Sequence, residues 1–440
     1  MTNKTYYITT FGCQMNEHDS EKLAGMLGEM GYSEDLSKDS ANVIIINTCS
    51  IREHADEKFF GFLGQLKKIK TLNPDTVISV CGCMMQQEHV IERIKTKYPF
   101  VDLIFGTHNI HNFPSMLSDI INDKSKLMEI WDENGEMIEG IPSKRKYEFK
   151  AFVNVMNGCN NYCTYCVVPY TRGRERSRDP KEILSEVRDL GRNGVKEITL
   201  LGQNVNSFGN GTDNQTSFTD LIYQINEIEQ IKRIRFMTSH PKDLSMELIK
   251  AYKDCQNLCN HIHLPVQSGS SKVLEDMNRH YTKEQYIKLT ERLRSQIPDM
   301  SITTDIIVGF PGETEDDFNE TMDLAEKVNF DFAYTFLYSM RKGTPAHDYK
   351  NQVPEEIKHQ RFNRLVELLN RIADIKNKSC IGNISTVLVE GPSKTNKSIY
   401  TGRTESFKPV NFSADPSDVG NIIPIMITGA KTFSLFGKKI

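Results

Sequence analysis

Long apolar runs are missing from this 440-residue sequence. The longest, such as Val43 to Ile46 and Ile306 to Val308, fall far short of the ~20 residues a membrane-spanning helix needs, so no membrane partner is expected. Met1 to Thr10 holds no apolar core and no cleavage pattern, which predicts no secretory signal. Charge of one sign is scarce as well. A formal net charge of −4 excludes a uniformly basic nucleic-acid binder and leaves room for a local patch only. Tryptophan occurs once, and 38% hydrophobic with 25% charged residues is an ordinary soluble globular composition. The length predicts roughly three domains.

Cysteine is what the sequence does have, with ten residues. Without a secretory signal they imply a reducing, cytoplasmic setting, where thiols serve metals, catalysis or cores rather than disulfides. Cys159, Cys163 and Cys166 fall in Gly-Cys-Asn-Asn-Tyr-Cys-Thr-Tyr-Cys-Val (158–167). At this cysteine frequency a CxxxCxxC triplet arises by chance in roughly one chain in two hundred. Thiolates at such spacing in a loop can surround one small metal centre. A zinc site would close its shell with a fourth ligand, and no further Cys or His lies nearby in sequence. Three thiolates on a four-iron cluster leave one iron open. This run resembles the radical S-adenosylmethionine enzymes. The resemblance implies that the open iron chelates S-adenosylmethionine and that its reductive cleavage yields a 5′-deoxyadenosyl radical. Tyr165 occupies the slot where that family places an aromatic residue against the adenine.

After the cysteine loop, strands and helices alternate. Strands are expected at Ala151–Met156, Glu197–Leu201, Arg233–Met237, His261–Pro265, Ile302–Val308 and Phe332–Tyr338. Helices are expected at Pro180–Arg192, Phe218–Glu229, Leu244–Tyr252, Thr282–Arg294 and Glu315–Val328. Six such units suit a partial barrel whose working face is the C-terminal rim of its strands. Three rims carry Gly202-Gln203-Asn204, Val266-Gln267-Ser268-Gly269-Ser270 and Gly309-Phe310-Pro311-Gly312-Glu313. Such glycines can simply turn strand into helix; three rims beside a cysteine loop also suit a cofactor. The resemblance implies cofactor contacts from Gly202, Gln203, Asn204, Gln267, Ser268, Gly309, Gly312 and Glu313. His261 and His263 read as satisfied barrel-core residues.

The first 140 residues also read βαβα, with strands at Tyr6–Thr10, Val43–Ile46 and Val77–Val80 and helices at Asp19–Met30, Glu53–Ile69 and Gln86–Lys97. A cysteine follows each strand: Cys13, Cys49 and Cys83. In a parallel sheet these share one edge, where ligands of open α/β sheets bind. Cys81 competes with Cys83 for the third place. Cys83 lies beyond the strand and is preferred. Two cysteine triads narrow the resemblance. Thr-Phe-Gly-Cys-Gln-Met-Asn (10–16), Asn-Thr-Cys-Ser-Ile-Arg-Glu (47–53), the run 157–178, Gly-Gln-Asn-Val-Asn-Ser (202–207) and Thr-Asp-Ile-Ile-Val-Gly-Phe-Pro-Gly-Glu-Thr (304–314) resemble the methylthiotransferases. Among these they are most similar to the branch acting on N6-isopentenyladenosine of tRNA. His280 and Lys342 depart from that pattern, and neither is a proposed ligand.

The resemblance covers essentially the whole chain and implies an enzyme with two [4Fe-4S] clusters. One, on Cys159, Cys163 and Cys166, generates the radical. The other, on Cys13, Cys49 and Cys83, delivers sulfur to C2 of an isopentenylated adenosine at tRNA position 37, next to the anticodon. A second S-adenosylmethionine supplies the methyl group, making two per turnover. No catalytic side chain beyond the clusters is implied. An external electron donor is needed, the sulfur donor is not identified by the sequence, and a monomer is expected. Rival readings are the methylthiotransferases of threonylcarbamoyladenosine or of a ribosomal-protein aspartate, and a non-enzymatic iron–sulfur RNA-binding protein.

From Lys376 onward short β-like runs appear at Ser385–Glu390, Ser398–Arg403, Lys408–Phe412 and Ile422–Gly429, as in a small oligonucleotide-binding barrel. This tail carries nine Lys or Arg against four Asp or Glu, the asymmetry expected of an RNA grip. The family carries an RNA-binding domain called TRAM here, which Gly402-Arg403-Thr404 resembles. Arg172, Arg174, Arg176, Arg178, Arg403 and Lys408 are the candidate RNA contacts, and Pro142–Lys150 reads as a basic linker. Cys255, Cys259 and Cys380 read as structural. The expected fold is α/β: an N-terminal open parallel α/β-sheet domain (1–141), a central partial (β/α)6 TIM-like barrel (142–375) and a C-terminal OB-like β-barrel (376–440).

Overall fold

Parallel strands need a crossover to return the chain, and the helices between them supply it. The computed structural model describes residues 4–50, 53–123, 125–131, 137–210, 216–394 and 396–440. The chain divides into two units. One comprises Met1–Lys146, Met156–Tyr162 and Cys166–Arg178; the other comprises Tyr147–Val155, Cys163–Tyr165 and Asp179–Ile440.

The first unit opens with β1 (Thr5–Thr10), α1 (Gln14–Glu29), β2 (Ser33–Glu34), β3 (Val43–Thr48), α2 (Glu53–Leu72), β4 (Val77–Gly82), α3 (Glu88–Lys97), β5 (Leu103–Phe105), α4 (Phe113–Asp123) and β6 (Leu127–Glu129). The strands form one parallel sheet in the order β2-β1-β3-β4-β5-β6. β3 and β4 bury every residue, as strands covered on both faces must. Apolar clusters around Phe59, Leu63 and Ile94 and around Leu23, Phe105 and Phe113 provide that cover. Three strands beyond the expected three are present; at two or three residues each, they are too short to carry a periodic signal. α1 starts five residues ahead of the expected Asp19, because Cys13 in extended conformation serves as its N-cap. Register then fixes the site. Thr10 pairs with Asn47 and Asn47 with Cys81, so β1, β3 and β4 end level.

The chain continues through β7 (Lys150–Asn154), β8 (Met156–Asn157), α5 (Val168–Thr171) and β9 (Arg176–Ser177). β8 and β9 pair antiparallel at the two ends of the cysteine run. The second unit adds α6 (Pro180–Arg192), β10 (Glu197–Leu201), α7 (Phe218–Asn226), β11 (Arg233–Phe236), α8 (Met246–Asp254), β12 (His261–His263), α9 (Ser271–Asp276), α10 (Lys283–Gln296), β13 (Ser301–Val308), α11 (Glu315–Val328), β14 (Phe332–Leu337) and α12 (Glu355–Lys378). Its six expected strands are all present and parallel, in two half-sheets, β11-β10-β7 and β12-β13-β14. A bridge from Ile234 to Leu258 lies between them. Helix starts are encoded locally. Asp179 caps α6 with Pro180 in its first turn, and Ser217/Asp220, Thr282/Gln285 and Thr314/Asp317 form capping boxes. Helix α12 has no counterpart among the expected elements.

The tail folds as a closed barrel of β15 (Ile384–Pro392), β16 (Tyr400–Thr404), β17 (Pro409–Ser413), β18 (Ile422–Lys431) and β19 (Ser434–Lys439), in the order β15-β16-β17-β19-β18. The expectation of four strands missed β19, whose parallel pairing with β17 closes the barrel. β11 anchors it within the same unit. Arg233 donates to the carbonyls of Arg403 and Thr386 at 2.9 and 2.8 Å, and Arg235 to those of Glu405 and Thr404, each at 2.7 Å. The basic linker is not free: Lys144 pairs with Glu34, and Lys150 with Glu390. Among the described residues, no helix is long and apolar enough to cross a membrane.

Candidate active site

Two glycines let the level strand ends close on one another. Gly12 sits at φ +140, and a Cβ there would lie 2.4 Å from Cys49 Cβ. Gly82 sits at φ +97, and a Cβ there would lie 2.3 Å from the Thr48 carbonyl. Neither place admits a side chain, and neither backbone conformation suits an L residue. The thiols of Cys13 and Cys49 thereby come into hydrogen-bond contact, which is the main reason the Cys13 thiol is lowered to about 6. Burial opposes this, while the Arg172 charge and the first N–H groups of α1 support it. Beneath them, Asn16 and Asn47 lock the strand ends: Asn16 Nδ2 donates to Asn47 Oδ1 at 2.9 Å and to the Thr48 carbonyl at 2.8 Å.

Cys83 follows β4 and is buried. Burial pushes its thiol up, and the charge of Arg172 pulls the other way. Arg172 Nε donates to Cys83 Sγ at 3.2 Å, and its Nη2 donates to Asp19 Oδ2 at 2.8 Å. Cys81 packs instead into the apolar cluster with Tyr6, Leu23 and Phe105. Among the described residues, no three thiol, imidazole or carboxylate groups are spaced as ligands of a single ion. A four-iron cluster makes no such demand, because each thiolate binds a different iron. Three soft donors, Cys49 and Cys83 buried and the acidic Cys13 half-buried, beside a cationic N–H donor suit such a cluster.

In the same unit, the Cys159 amide donates to the Gly173 carbonyl at 3.2 Å, and Asn161 Nδ2 donates to Cys159 Sγ at 3.4 Å. Cys166 is half-buried. In the other unit, Cys163 is buried with its Sγ 3.4 Å from Arg279 Nη1, which lies equally far from the Tyr165 hydroxyl. Arg279 also donates to the Pro265 carbonyl at 2.8 Å and to the Tyr281 hydroxyl at 3.0 Å. Asn278 and His280, on either side of it, hold φ of +61° and +60°. Sequence reading missed this arginine. Its only signal was Met-Asn-Arg-His-Tyr (277–281), where His280 was noted and its neighbour was not.

The rim residues follow their strands in the second unit. The Gly202 carbonyl accepts from Thr238. Gln203 is half-buried. Asn204 is buried and donates to Asp243 at 2.8 Å. Gln267, at φ +72, exchanges backbone hydrogen bonds with β13, and Ser268 is buried against Thr321. Gly309 and Gly312 bound the turn after β13. Its floor is Glu313, which accepts from the Gly309 amide at 3.1 Å and from Arg361 at 2.9 Å. Burial raises that carboxyl to about 7 despite Arg361. His261 and His263 share the Thr303 hydroxyl at 3.1 and 3.0 Å, as core histidines do.

The candidate RNA contacts divide by exposure. Arg172 is buried, Arg174 is exposed, and Arg176 and Arg178 are half-buried, the last donating to Glu139 at 2.9 Å. In the barrel, Arg403 lies over the Phe407 ring, and Lys408 donates to Asn377 at 2.8 Å beside Asp331. Lys394 and Lys397, between β15 and β16, are exposed. Cys255 and Cys259 are buried, which raises both thiols to about 11.

Residues 153–325 match the model of the radical SAM superfamily, 5–106 that described as uncharacterized protein family UPF0004, and 378–440 the TRAM domain. The fold is similar to that of the radical S-adenosylmethionine methyltransferase TsrM from Kitasatospora setae (TM-score 0.57, 12% identity, 79% of this chain and 74% of that one). It is also similar to the cobalamin-dependent radical enzyme OxsB (TM-score 0.51, 15% identity, 84% and 56%). The match of residues 153–325 to the radical SAM superfamily, with the cysteine loop inside it, marks a radical S-adenosylmethionine protein. Relatives from Clostridium tetani (54% identical, covering 99% of this chain and 96% of the relative) and Acetivibrio thermocellus (56%, 99% and 90%) are both described as tRNA-2-methylthio-N(6)-dimethylallyladenosine synthase. The chain belongs to that family.

Proposed function

We propose that this chain is a tRNA methylthiotransferase that converts N6-isopentenyladenosine at position 37 to its 2-methylthio derivative. Dimethylallyl and isopentenyl denote the same substituent here. The observation that carries the reading is the meeting of Cys13, Cys49 and Cys83 at one sheet edge, although 36 and 34 positions separate them. A radical enzyme needs one cysteine triad for its cofactor; a second triad calls for a second task, and sulfur delivery is the one the family performs.

In this reading Cys159, Cys163 and Cys166 hold the first cluster and Cys13, Cys49 and Cys83 the second. When bound, the clusters and S-adenosylmethionine supply the radical, the sulfur and the methyl group. The chain's own residues place and shield these groups. Tyr165 and the rims at Gly202–Asn204, Gln267–Ser268 and Gly309–Glu313 line the cofactor's place, and Glu313 with Arg361 fixes the shape of the last rim. Arg174 and the tail barrel meet RNA, whose unpaired loop bases are read by stacking and phosphate contacts. The reading includes an external electron donor, a monomer and a cytoplasmic location.

The test is mass analysis of tRNA nucleosides from cells with and without the chain. The expected loss is of 2-methylthio-N6-isopentenyladenosine, with the unthiolated nucleoside accumulating. Unchanged nucleosides would overturn the proposal.

A further inference from the structure

Arg172 is the buried charge that the proposed reaction leaves without a task. Only 7% of it is exposed, so it is poorly placed to meet RNA. Its guanidinium is instead divided between two partners, Cys83 Sγ at 3.2 Å and Asp19 Oδ2 at 2.8 Å. Asp19 is carried by α1, the helix that Cys13 caps. Arg172 itself is held in place. Its amide donates to the Val168 carbonyl at 2.8 Å, and the Thr171 carbonyl before it accepts from Thr107 at 3.0 Å. The strap that presents it begins at Cys166, six residues earlier.

A cluster gains negative charge on reduction. A cationic N–H donor on a ligand sulfur stabilises that reduced state and raises the potential. A carboxylate beside the cation offsets part of its field. We propose that Arg172, held by Asp19, is a positioning residue that sets the reduction potential of the cluster on Cys13, Cys49 and Cys83 by donating a charged hydrogen bond to the Cys83 sulfur. The inference rests on the assignment of that cluster to those cysteines. Asp19 then acts as a counterweight, keeping the fork aimed at sulfur while moderating its charge.

The experiment uses the full chain with Cys159, Cys163 and Cys166 replaced by Ala, so that only the second cluster is read. Reconstituted anaerobically, this parent should hold about four irons. A parent without iron sinks the cluster assignment, and this inference with it. Midpoint potentials are then measured by electron paramagnetic resonance titration. Arg172→Met should shift the midpoint to more negative values and Asp19→Asn to less negative ones. Arg172→Lys, which keeps the charge but loses the fork, should fall between Arg172→Met and the parent. Opposite shifts separate tuning from a structural brace, for which both changes act alike. If Arg172→Met does not hold iron, Arg172→Lys and Asp19→Asn decide alone. Midpoints equal to the parent's, shifts of one sign in Arg172→Lys and Asp19→Asn, or loss of iron from all three variants would each overturn the proposal.

Discussion

The two cysteine triads draw their members from the chain in different ways. Cys159, Cys163 and Cys166 lie within a single eight-residue stretch, near one another in the chain whatever the rest of the fold does. Cys13, Cys49 and Cys83 come from three strand ends, and only the register of a parallel sheet makes them neighbours. A local site depends on its loop; a distributed one depends on the whole sheet being right. The second arrangement is the more fragile, and its supports are visible: Gly12, Gly82, the Asn16–Asn47 lock and Arg172.

The sharpest way to break the comparison is to remove thiols. Replacing Cys159, Cys163 or Cys166 by Ala should abolish 5′-deoxyadenosine formation and all modified tRNA. Replacing Cys13, Cys49 or Cys83 should abolish methylthiolation yet spare 5′-deoxyadenosine, with chromatography of both products as the readout. Methylthiolated product from the Cys49→Ala variant would refute the second-cluster role. Next comes Gly82→Ala, which forces a side chain into the Thr48 backbone at positive φ. It should cost about 2–4 kcal/mol in thermal unfolding and lower iron at the distributed site first.

A smaller effect is expected at the rim that follows β13. Folded Glu313 titrates at about 7, against an ordinary 4.5. Across that window the folded chain keeps a proton that the unfolded chain has released. Its contribution is therefore full below the lower value and lost as pH rises through the upper one. Raising the pH from about 5 to about 8 should cost the parent about 2–3 kcal/mol more than Glu313→Gln in denaturant unfolding. Equal slopes would show that Arg361 keeps the carboxyl charged. The smallest effect concerns the tail. Replacing exposed Lys394 and Lys397 by Ala should weaken tRNA binding roughly threefold to tenfold and flatten its salt dependence by about one to two log units per log unit. Lys408→Ala should leave that slope alone and loosen the barrel, because its charge is directed at Asn377 and Asp331.

Much of the fold was legible because its signals are local. Apolar strands such as Val43–Ile46, capped helices such as α11 and the turn after Val308 announce themselves within a few residues. What escaped was short or completed elsewhere. Leu103–Phe105 and Leu127–Glu129 are strands only because a sheet edge accepts them. β19 closes the barrel by pairing with β17, across the whole of the intervening β18. In the site, the cysteines were legible by spacing or by position after a strand, and the long family-like runs added to that. Arg279 was not legible, because nothing within five residues of it shows that Cys163 lies beside it. Arg172 was singled out for its charge, and the charge of a side chain does not tell which way it points.

By itself the sequence determined the cysteine loop, the alternation of strands and helices, the family and hence the reaction class, since each rests on residues close in the chain or on long matching runs. Tertiary structure alone decided that Cys83 rather than Cys81 faces Arg172, that Asp19 divides the guanidinium with sulfur, and that Arg233 and Arg235 are buried against the tail barrel. Those outcomes depend on sheet register and burial, which arise only when segments distant in sequence compete for the same buried space.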